Sequence, residues 1–212
     1  MGTDRLGPTT LQASDLHRNE GFLRLEATVR WVDGFDAGED PTLVGAKRQI
    51  LQFLDSSPEP FSRTNYSPGH ITASGIVVSP DLSQFLLVLH RRLRRWLQPG
   101  GHVEPGDADA SRTAAREVIE ETQVTLQQVT PALVGLDVHR IPAAHGEPAH
   151  LHHDLAFLFL ADQADPGDSG DVRSVAWCDW DQLDEFDLDA SLRRHVRRAR
   201  QRVSTRALPI VN

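Results

Sequence analysis

The sequence of 212 residues predicts an α+β domain with a helical extension at its N-terminus. Three observations predict this class: apolar residues recur at steps of three and four near both ends, short β-type runs fill the middle, and one helical segment interrupts those runs. The hydrophobic fraction of 39%, with 15 glycines besides, approaches that of a typical globular domain. The change of hydrophobic period along the chain therefore predicts the fold class.

The N-terminal extension, residues 1–60, is predicted to contain two amphipathic helices. Asn19 and Gly34 are the candidate start and end of the first helix. The second is predicted to begin at Asp40-Pro41, because Asp is a good cap and proline fits the first helical position. The apolar stripes are Phe22, Leu25, Val29 and Val32 in the first helix, and Leu43, Ala46, Ile50 and Phe53 in the second. We expect both stripes to pack on each other and on the main domain.

Residues 61–187 are predicted to form the main domain, a β-rich unit built around one helix. That helix is expected at about Ala108–Gln123, after Gly100 and Gly101 break the chain. The expected strands are His70–Ser79, Gln84–His90, Ala132–His139, His150–Ala161 and Val172–Cys178. The remaining segment, residues 188–212, is predicted to contain an amphipathic helix that packs on the domain with its arginines outward.

Charge and composition exclude some classes of partner. The chain carries 22 Lys and Arg against 30 Asp and Glu, a formal net charge of −8, which argues against binding of a nucleic acid polymer. No apolar run reaches the roughly 18 residues that a membrane span needs, so no membrane partner is expected. The single cysteine, Cys178, rules out an internal disulfide, and we expect a cytoplasmic protein.

Residues 100–124 contain the side chains that indicate chemistry. Glu117, Glu120 and Glu121 stand at i, i+3 and i+4, which places three carboxylates on one face of a helix. Solvent or cations must relieve their mutual repulsion, and Mg²⁺ prefers oxygen ligands. Ala115 and Ile119 lie on the opposite side of that helix and are expected to pack on a sheet. Taken alone, such a triplet indicates a solvated helix face.

Neighbouring residues favour a cation site over a solvated face. Arg116 precedes the first glutamate, and Asp107 and Glu104 add acids to the loop that enters the helix. The Gly100-Gly101 pair lets the backbone approach another group closely and exposes a carbonyl oxygen. With these residues the segment resembles the Nudix box, G-x5-E-x7-R-E-U-x-E-E-x-G-U, in which U is a bulky aliphatic residue.

The resemblance to the Nudix box includes both matches and departures. The matching residues are Gly101, Arg116, Glu117, Val118, Glu120, Glu121 and Val124. Asp107 stands where the pattern has Glu, eight residues rather than seven separate it from Arg116, and Gln123 replaces the last glycine. The resemblance extends over residues 70–187 and implies a Nudix-type α/β/α sandwich built around a mixed β-sheet.

The resemblance implies a hydrolase that depends on a divalent metal, Mg²⁺ or Mn²⁺. Such an enzyme would cleave a diphosphate bond in a nucleoside diphosphate linked to another moiety. The implied catalytic residues are Glu117, Glu120 and Arg116, the implied metal ligands are Gly101, Glu117, Glu120 and Glu121, and Gly100 and Asp107 are structural residues of the box. Arg116 is expected to hold Asp107 through a salt bridge. The general base stays open between a box glutamate and an acid from a distant loop.

Two other classes of function are weighed against this one. The first is a Nudix-fold nucleotide-binding or regulatory protein without turnover, in which the helical extension contacts a partner. The retained carboxylates argue against it, because a pure binder gains nothing from their repulsion. The second is an isomerase of isoprenoid diphosphates, which would need an active-site cysteine. Cys178 lies near the end of a predicted strand, so this class ranks last.

Two further segments are candidates for substrate binding. His150, His152 and Asp154 share one side of a strand, which either lines the pocket or lies at an exposed sheet edge. The H-x-H pair is also compatible with a zinc site, for which His139 and His145 are candidate additional ligands. Arg94, Arg95 and Trp96 either bind the substrate phosphates and base or belong to a solvated loop. The N-terminal helix pair could dock across a homodimer.

Overall fold

The computed structural model describes residues 13–127, 131–144, 146–162, 166–167 and 172–205, with side chains described from Glu20 onward. These ranges contain four α-helices and seven β-strands. The helices are α1 (Ala13–Asp33), α2 (Pro41–Ser56), α3 (Ala110–Thr122) and α4 (Ala190–Ser204). The strands are β1 (Gly69–Val78), β2 (Gln84–His90), β3 (Trp96–Leu97), β4 (Gly100–His102), β5 (Ala132–Ile141), β6 (His150–Leu160) and β7 (Val172–Asp179). Within the described ranges, no helix has both the length and the apolar character that crossing a bilayer requires.

The strands form one mixed sheet. Its main path runs β3-β2-β1-β6-β5, with β4 paired to β1 and β7 paired to β2. The β1–β6 pair is parallel, and the other pairs are antiparallel. Because β6 lies between β1 and β5, it is an interior strand. The predicted α+β class with a mixed sheet is confirmed.

Helices cover the two faces of this sheet unequally. On the first face, Ile71, Ala73 and Val77 of β1 share a hydrophobic core with α1, α2 and α3. On the second face, Ile76 and Val78 pack with residues of α4. The other half of the second face, around His70, Thr72 and Ser74, is polar. The structure is therefore the expected sandwich, and α4 leaves a polar strip on one face.

The N-terminal extension packs on the first face, and two expectations about it are wrong. The Asp40 side chain caps α2 through Thr42 and Leu43, and the stripe of α2 is buried as predicted. Trp31 meets Phe157 edge-on at 5.2 Å between ring centroids. Phe22, however, is 57% exposed and contributes little to the core. The helix also begins at Ala13, so Asn19 lies within α1 rather than at its cap.

The helix of the acidic segment differs in detail from the prediction. Asp109 caps α3 by accepting hydrogen bonds from Ser111 and Arg112, so the helix begins at Ala110. The side that packs on the sheet contains Ala114 and Val118, whereas Ile119 is 49% exposed. The expected packing of Ile119 is therefore wrong, because the buried stripe follows the i, i+4 row from Ala110.

Candidate functional site

The acidic face of α3 lies directly against β4. Gly100 and Gly101 pair with Ser74 and Ala73 of β1, and this pairing fixes their backbone. A Cβ added to Gly101 would lie 2.5 Å from Oε1 of Glu117, so the glycine makes room for that carboxylate. The backbone N–H of Gly100 donates to Oε2 of Glu121 at 3.1 Å. Two of the three carboxylates are thus held against the backbone of β4.

Arg116 connects the acids of this site. Its Nε and Nη2 donate to the two carboxylate oxygens of Asp107 at 3.1 and 3.0 Å, which is the expected salt bridge. Its Nη1 donates to Oε1 of Glu117 at 2.9 Å and to Oε2 of Glu120 at 3.0 Å. Nη2 also donates to the carbonyl of His102 at 2.8 Å. One guanidinium therefore fixes three carboxylates relative to β4.

The electrostatics of the site leave an excess of negative charge. Burial tends to raise the pKa of Asp107, but the hydrogen bonds from Arg116, Glu104 N–H and Thr113 outweigh it and hold that pKa below its usual value. Burial raises the pKa of Glu117 despite the hydrogen bond from Arg116, and nearby Glu120 adds to the rise. Carboxylates outnumber the single guanidinium here, so a cation with oxygen preference fits the site.

A buried polar strip runs along the second sheet face beside the acids. The sheet registers bring His102, Thr72, Asp154 and Asp137 into adjacent positions on four strands. Asp154 is 6% exposed and accepts hydrogen bonds from Oγ1 of Thr72 at 2.8 Å and Oγ of Ser74 at 2.6 Å. As expected, His150, His152 and Asp154 lie on one face of β6. The alternative that they lie at an exposed sheet edge is wrong, because β6 is an interior strand.

Histidine side chains occupy the outer end of this strip. His70 and His152 face each other across the parallel β1–β6 pair, with ring centroids 4.8 Å apart. His150 and His102 lie beside them, each 5.0 Å from His70 between ring centroids. Burial and the neighbouring histidines lower the pKa of His152 to about 2 and that of His102 to about 4. The imidazoles of His152 and His102 are therefore neutral at pH 7.

The sequence comparisons identify the family. A family model described as NUDIX domain matches residues 69–199, more than half of the chain, and the match extends into α4. The chain belongs to the Nudix family. Among curated proteins, no significant match to the chain was found.

The chain is similar to solved structures at low sequence identity. The NUDIX domain of Shewanella oneidensis NrtR, complexed with ADP ribose, is 18% identical with a TM-score of 0.52, over 72% of this chain and 97% of that one. A C. elegans Ap4A hydrolase in a binary complex is 20% identical with a TM-score of 0.49, over 64% of this chain and 98% of that one. The mutator MutT protein from Bacillus halodurans is 26% identical with a TM-score of 0.45, over 57% and 74%.

The departures from the Nudix box lie at two places, before α3 and at its end, and both have structural explanations. Asp107 is shorter than the glutamate of the pattern but still reaches Arg116, with the additional residue taken up in the loop before Ala110. Gln123 ends α3 in the left-handed region with φ 56°, the conformation for which the pattern has glycine. Neither departure displaces an acid of the Nudix helix.

The basic segment before the Nudix box lies at the turn between β2 and β3. Arg94 and Arg95 are exposed, and Arg94 has a positive φ of 52°. Trp96 packs edge-on against Phe186 at 5.6 Å between ring centroids, which joins it to the core beneath α4. The assignment of these residues to substrate binding stays a prediction.

The thiol of this Nudix chain is unsuited to covalent chemistry. Cys178 is fully buried in the core beneath α4, and burial raises the pKa of its thiol to about 12. The burial of this thiol argues against an isomerase function. His139, a candidate zinc ligand, instead shares a 2.7 Å hydrogen bond with Asp137, and His145 lies outside the described residues.

Sequence reasoning missed His70 and His102 as partners of the H-x-H pair. His70 is followed by polar residues at alternate positions, Thr72 and Ser74, and this alternation was the available signal. His102 follows the two glycines of the Nudix box directly. No motif links either residue to the H-x-H pair, because the sheet register alone brings them together.

Proposed function

We propose that this Nudix chain is a divalent-metal-dependent hydrolase of nucleoside diphosphates linked to another moiety. The observation that carries the proposal is the arrangement around Arg116, which holds Glu117, Glu120 and Asp107 against the glycines of β4. Such a cluster of carboxylates can bind a cation, and the cation in turn can bind an anionic diphosphate. The reaction adds water across one P–O–P bridge and releases two phosphate-bearing products.

The residues of the chain fit Mg²⁺ or Mn²⁺. Glu117, Glu120, Glu121 and the carbonyl of Gly101 would hold the ions, since carboxylate and carbonyl oxygens are the ligands that these cations prefer. Bound ions supply neutralisation of the diphosphate charge and a water of lowered pKa. The excess of carboxylates over the single guanidinium of Arg116 supports this assignment.

The protein side chains would act mainly by positioning. The bidentate contact of Arg116 with Asp107 anchors the guanidinium, and its Nη1 then fixes Glu117 and Glu120. The Glu120 side chain is 57% exposed, more than the other two glutamates of the Nudix helix, so we assign it the orientation of the attacking water. Fixed carboxylates need no reorganisation during the reaction, which lowers the barrier.

The substrate would lie along the polar strip of the second sheet face. His150, His152 and Asp154 stay our candidates there, with Arg94 and Arg95 at the turn that precedes the box. Because the carboxylates of α3 lie against β4 at one edge of the sheet, the diphosphate would lie next to β4 and the linked moiety further along the sheet. The buried free cysteine and the chain's composition suit the cytoplasmic location that we propose.

A substrate panel tests the proposal directly. The full chain is incubated with Mg²⁺ or Mn²⁺ and with ADP ribose, nucleoside triphosphates, dinucleoside polyphosphates or coenzyme A, and products are followed by phosphorus NMR. We expect turnover of at least one compound and a loss of at least ~10²-fold in Glu121→Gln, because a metal ligand is removed. Glu39→Gln, the same change at an exposed carboxylate outside the site, should match the wild type.

The same panel separates the enzyme from a regulatory binder. Calorimetric titration of each compound measures binding whether or not turnover occurs. Tight binding without turnover of any compound, under both metals, would support the non-catalytic alternative and contradict the hydrolase. A Glu121→Gln variant that turns over as fast as the wild type would contradict the ligand assignment.

A further inference from the structure

Three histidines on two strands form a cluster separate from the Nudix carboxylates. His70 of β1 faces His152 of β6 in the parallel register, and His150 precedes His152 by two residues on the same face. One ring nitrogen from each lies within 4.8 Å of the other two. His70 is 1% exposed and His150 is 5% exposed, so the cluster is largely shielded from water.

Hydrogen bonds to the backbone determine which nitrogens face the centre. Nδ1 of His70 lies 3.1 Å from the carbonyl of Asn65, and Nδ1 of His150 lies 2.8 Å from the carbonyl of Pro148. A carbonyl oxygen only accepts, so both Nδ1 atoms carry a hydrogen, and Nε2 is the ring nitrogen left available to a metal ion.

The Nε2 atoms of both residues lie inside the cluster. Nε2 of His70 is buried and has no hydrogen-bond partner. Nε2 of His150 lies 3.3 Å from Nε2 of His152. A buried acceptor without a partner is costly, and a metal ion at the centre of the cluster would satisfy it.

We propose that His70, His150 and His152 bind a transition-metal ion of the zinc class through their Nε2 atoms. Imidazole nitrogen selects such ions over Mg²⁺, which prefers oxygen. Tetrahedral zinc with Zn–N bonds of about 2.0–2.1 Å places its ligand nitrogens roughly 3.4 Å apart. The His150–His152 pair already has this spacing at 3.3 Å.

The surroundings of the cluster match those of known imidazole sites. Metal-binding histidines usually donate their other ring N–H to a backbone carbonyl or carboxylate, as His70 and His150 do here. Three imidazoles leave one position for a further ligand. His102 is the nearest side chain of suitable type, with its ring centroid 5.0 Å from that of His70 and 5.2 Å from that of His152.

Cobalt titration tests the site without any measurement of hydrolysis. The full chain, free of affinity tags and stripped with EDTA, is titrated with Co²⁺ in excess Mg²⁺, which occupies oxygen sites. We expect one equivalent to bind with the visible absorption of tetrahedral Co²⁺, and Zn²⁺ to abolish that absorption by displacing it. Zn²⁺ should also raise the Tm of the stripped protein, because it binds the folded state.

Matched variants assign the ligands. His70→Asn and His150→Asn keep an N–H near the position of Nδ1 but remove Nε2, so the affinity for Co²⁺ should fall on the order of 10²-fold or more. His90→Asn makes the same change on β2, outside the cluster, and should bind like the wild type. Glu121→Gln removes a Nudix carboxylate and should also leave the cobalt spectrum unchanged, which separates this proposal from the hydrolase.

Three results would overturn the proposal. The first is wild-type protein without tetrahedral absorption, and the second is unchanged affinity in both asparagine variants. The third is loss of the spectrum in Glu121→Gln alone, which would place the ion at the Nudix helix. If the asparagine variants fail to fold by circular dichroism, His152→Ala decides the matter, because that side chain is only half-buried and tolerates truncation better.

Discussion

Replacing Gly101 by alanine should damage the proposed metal site while leaving the fold nearly intact. The added Cβ would lie 2.5 Å from Oε1, 2.6 Å from Cδ and 2.8 Å from Oε2 of Glu117. All three atoms belong to the end of a flexible side chain, which can move away. The carboxylate must retreat by roughly 1 Å to restore ordinary van der Waals contact.

The expected magnitudes differ sharply between function and stability. A displacement of about 1 Å at a catalytic group lowers the rate on the order of 10²-fold, so kcat for diphosphate hydrolysis should fall by that factor. The free energy of unfolding should fall by only about 1 kcal/mol, since one hydrogen bond of Arg116 is weakened and those to Asp107 and Glu120 remain.

Two neighbouring glycines provide controls for Gly101→Ala. A Cβ on Gly100 would meet Cβ of Ser74 at 2.6 Å and the carbonyl oxygen of Ala73 at 2.8 Å. These atoms belong to the paired strand β1 and cannot move away as a flexible side chain can. Gly100→Ala should therefore lower the free energy of unfolding by about 1–3 kcal/mol. A Cβ on Gly106 meets nothing within 4 Å, so Gly106→Ala should resemble the wild type. Steady-state kinetics and urea unfolding measure both effects. Wild-type kcat in Gly101→Ala would refute this reasoning.

Three further perturbations follow from the described contacts. Arg94→Ala with Arg95→Ala should raise KM more than it lowers kcat if the turn binds substrate uniformly, whereas unchanged kinetics would make the turn a solvated loop. Arg24→Ala removes hydrogen bonds to the carbonyls of Asp107 and Pro105 and should lower the free energy of unfolding by about 1 kcal/mol in urea, a result that an unchanged midpoint would contradict. Burial lowers the pKa of His153 from 6.5 to about 4. As the pH falls, this histidine is therefore protonated in the unfolded chain before it is protonated in the folded chain. Stability in urea should therefore be full above pH 6.5 and fall between pH 6.5 and 4, whereas a flat profile would contradict this.

The sequence was most informative where periodicity and a local motif coincide. The strands with clear alternation and α3 were predicted to within about two residues, because burial on one or both faces leaves a strong pattern. β3 and β4 were missed, since runs of two and three residues carry no period. Their pairing with β2 and β1 depends on contacts that the local sequence does not encode.

The histidine cluster shows the same limit more clearly. His150 and His152 stand two residues apart on one strand, which makes them visible as a pair, but His70 lies 80 residues before His150, since 150 − 70 = 80. Only the parallel register of β1 and β6 brings it to them. The exposure of Phe22 and Ile119 could not be predicted either. The pattern of apolar residues in a helix does not show which other element, if any, covers each position.

The contact between the N-terminal helices and the sheet affects how the chain can be shortened. Phe53 of α2 stacks on His153 with ring centroids 4.0 Å apart, Trp31 covers Phe157, and Arg24 anchors the loop that leads into α3. Removal of the residues outside 69–199 would delete Trp31 and Phe53 and expose apolar residues on the first face of the sheet. We therefore expect a chain limited to residues 69–199, the range that the family model matches, to be less stable than the full chain.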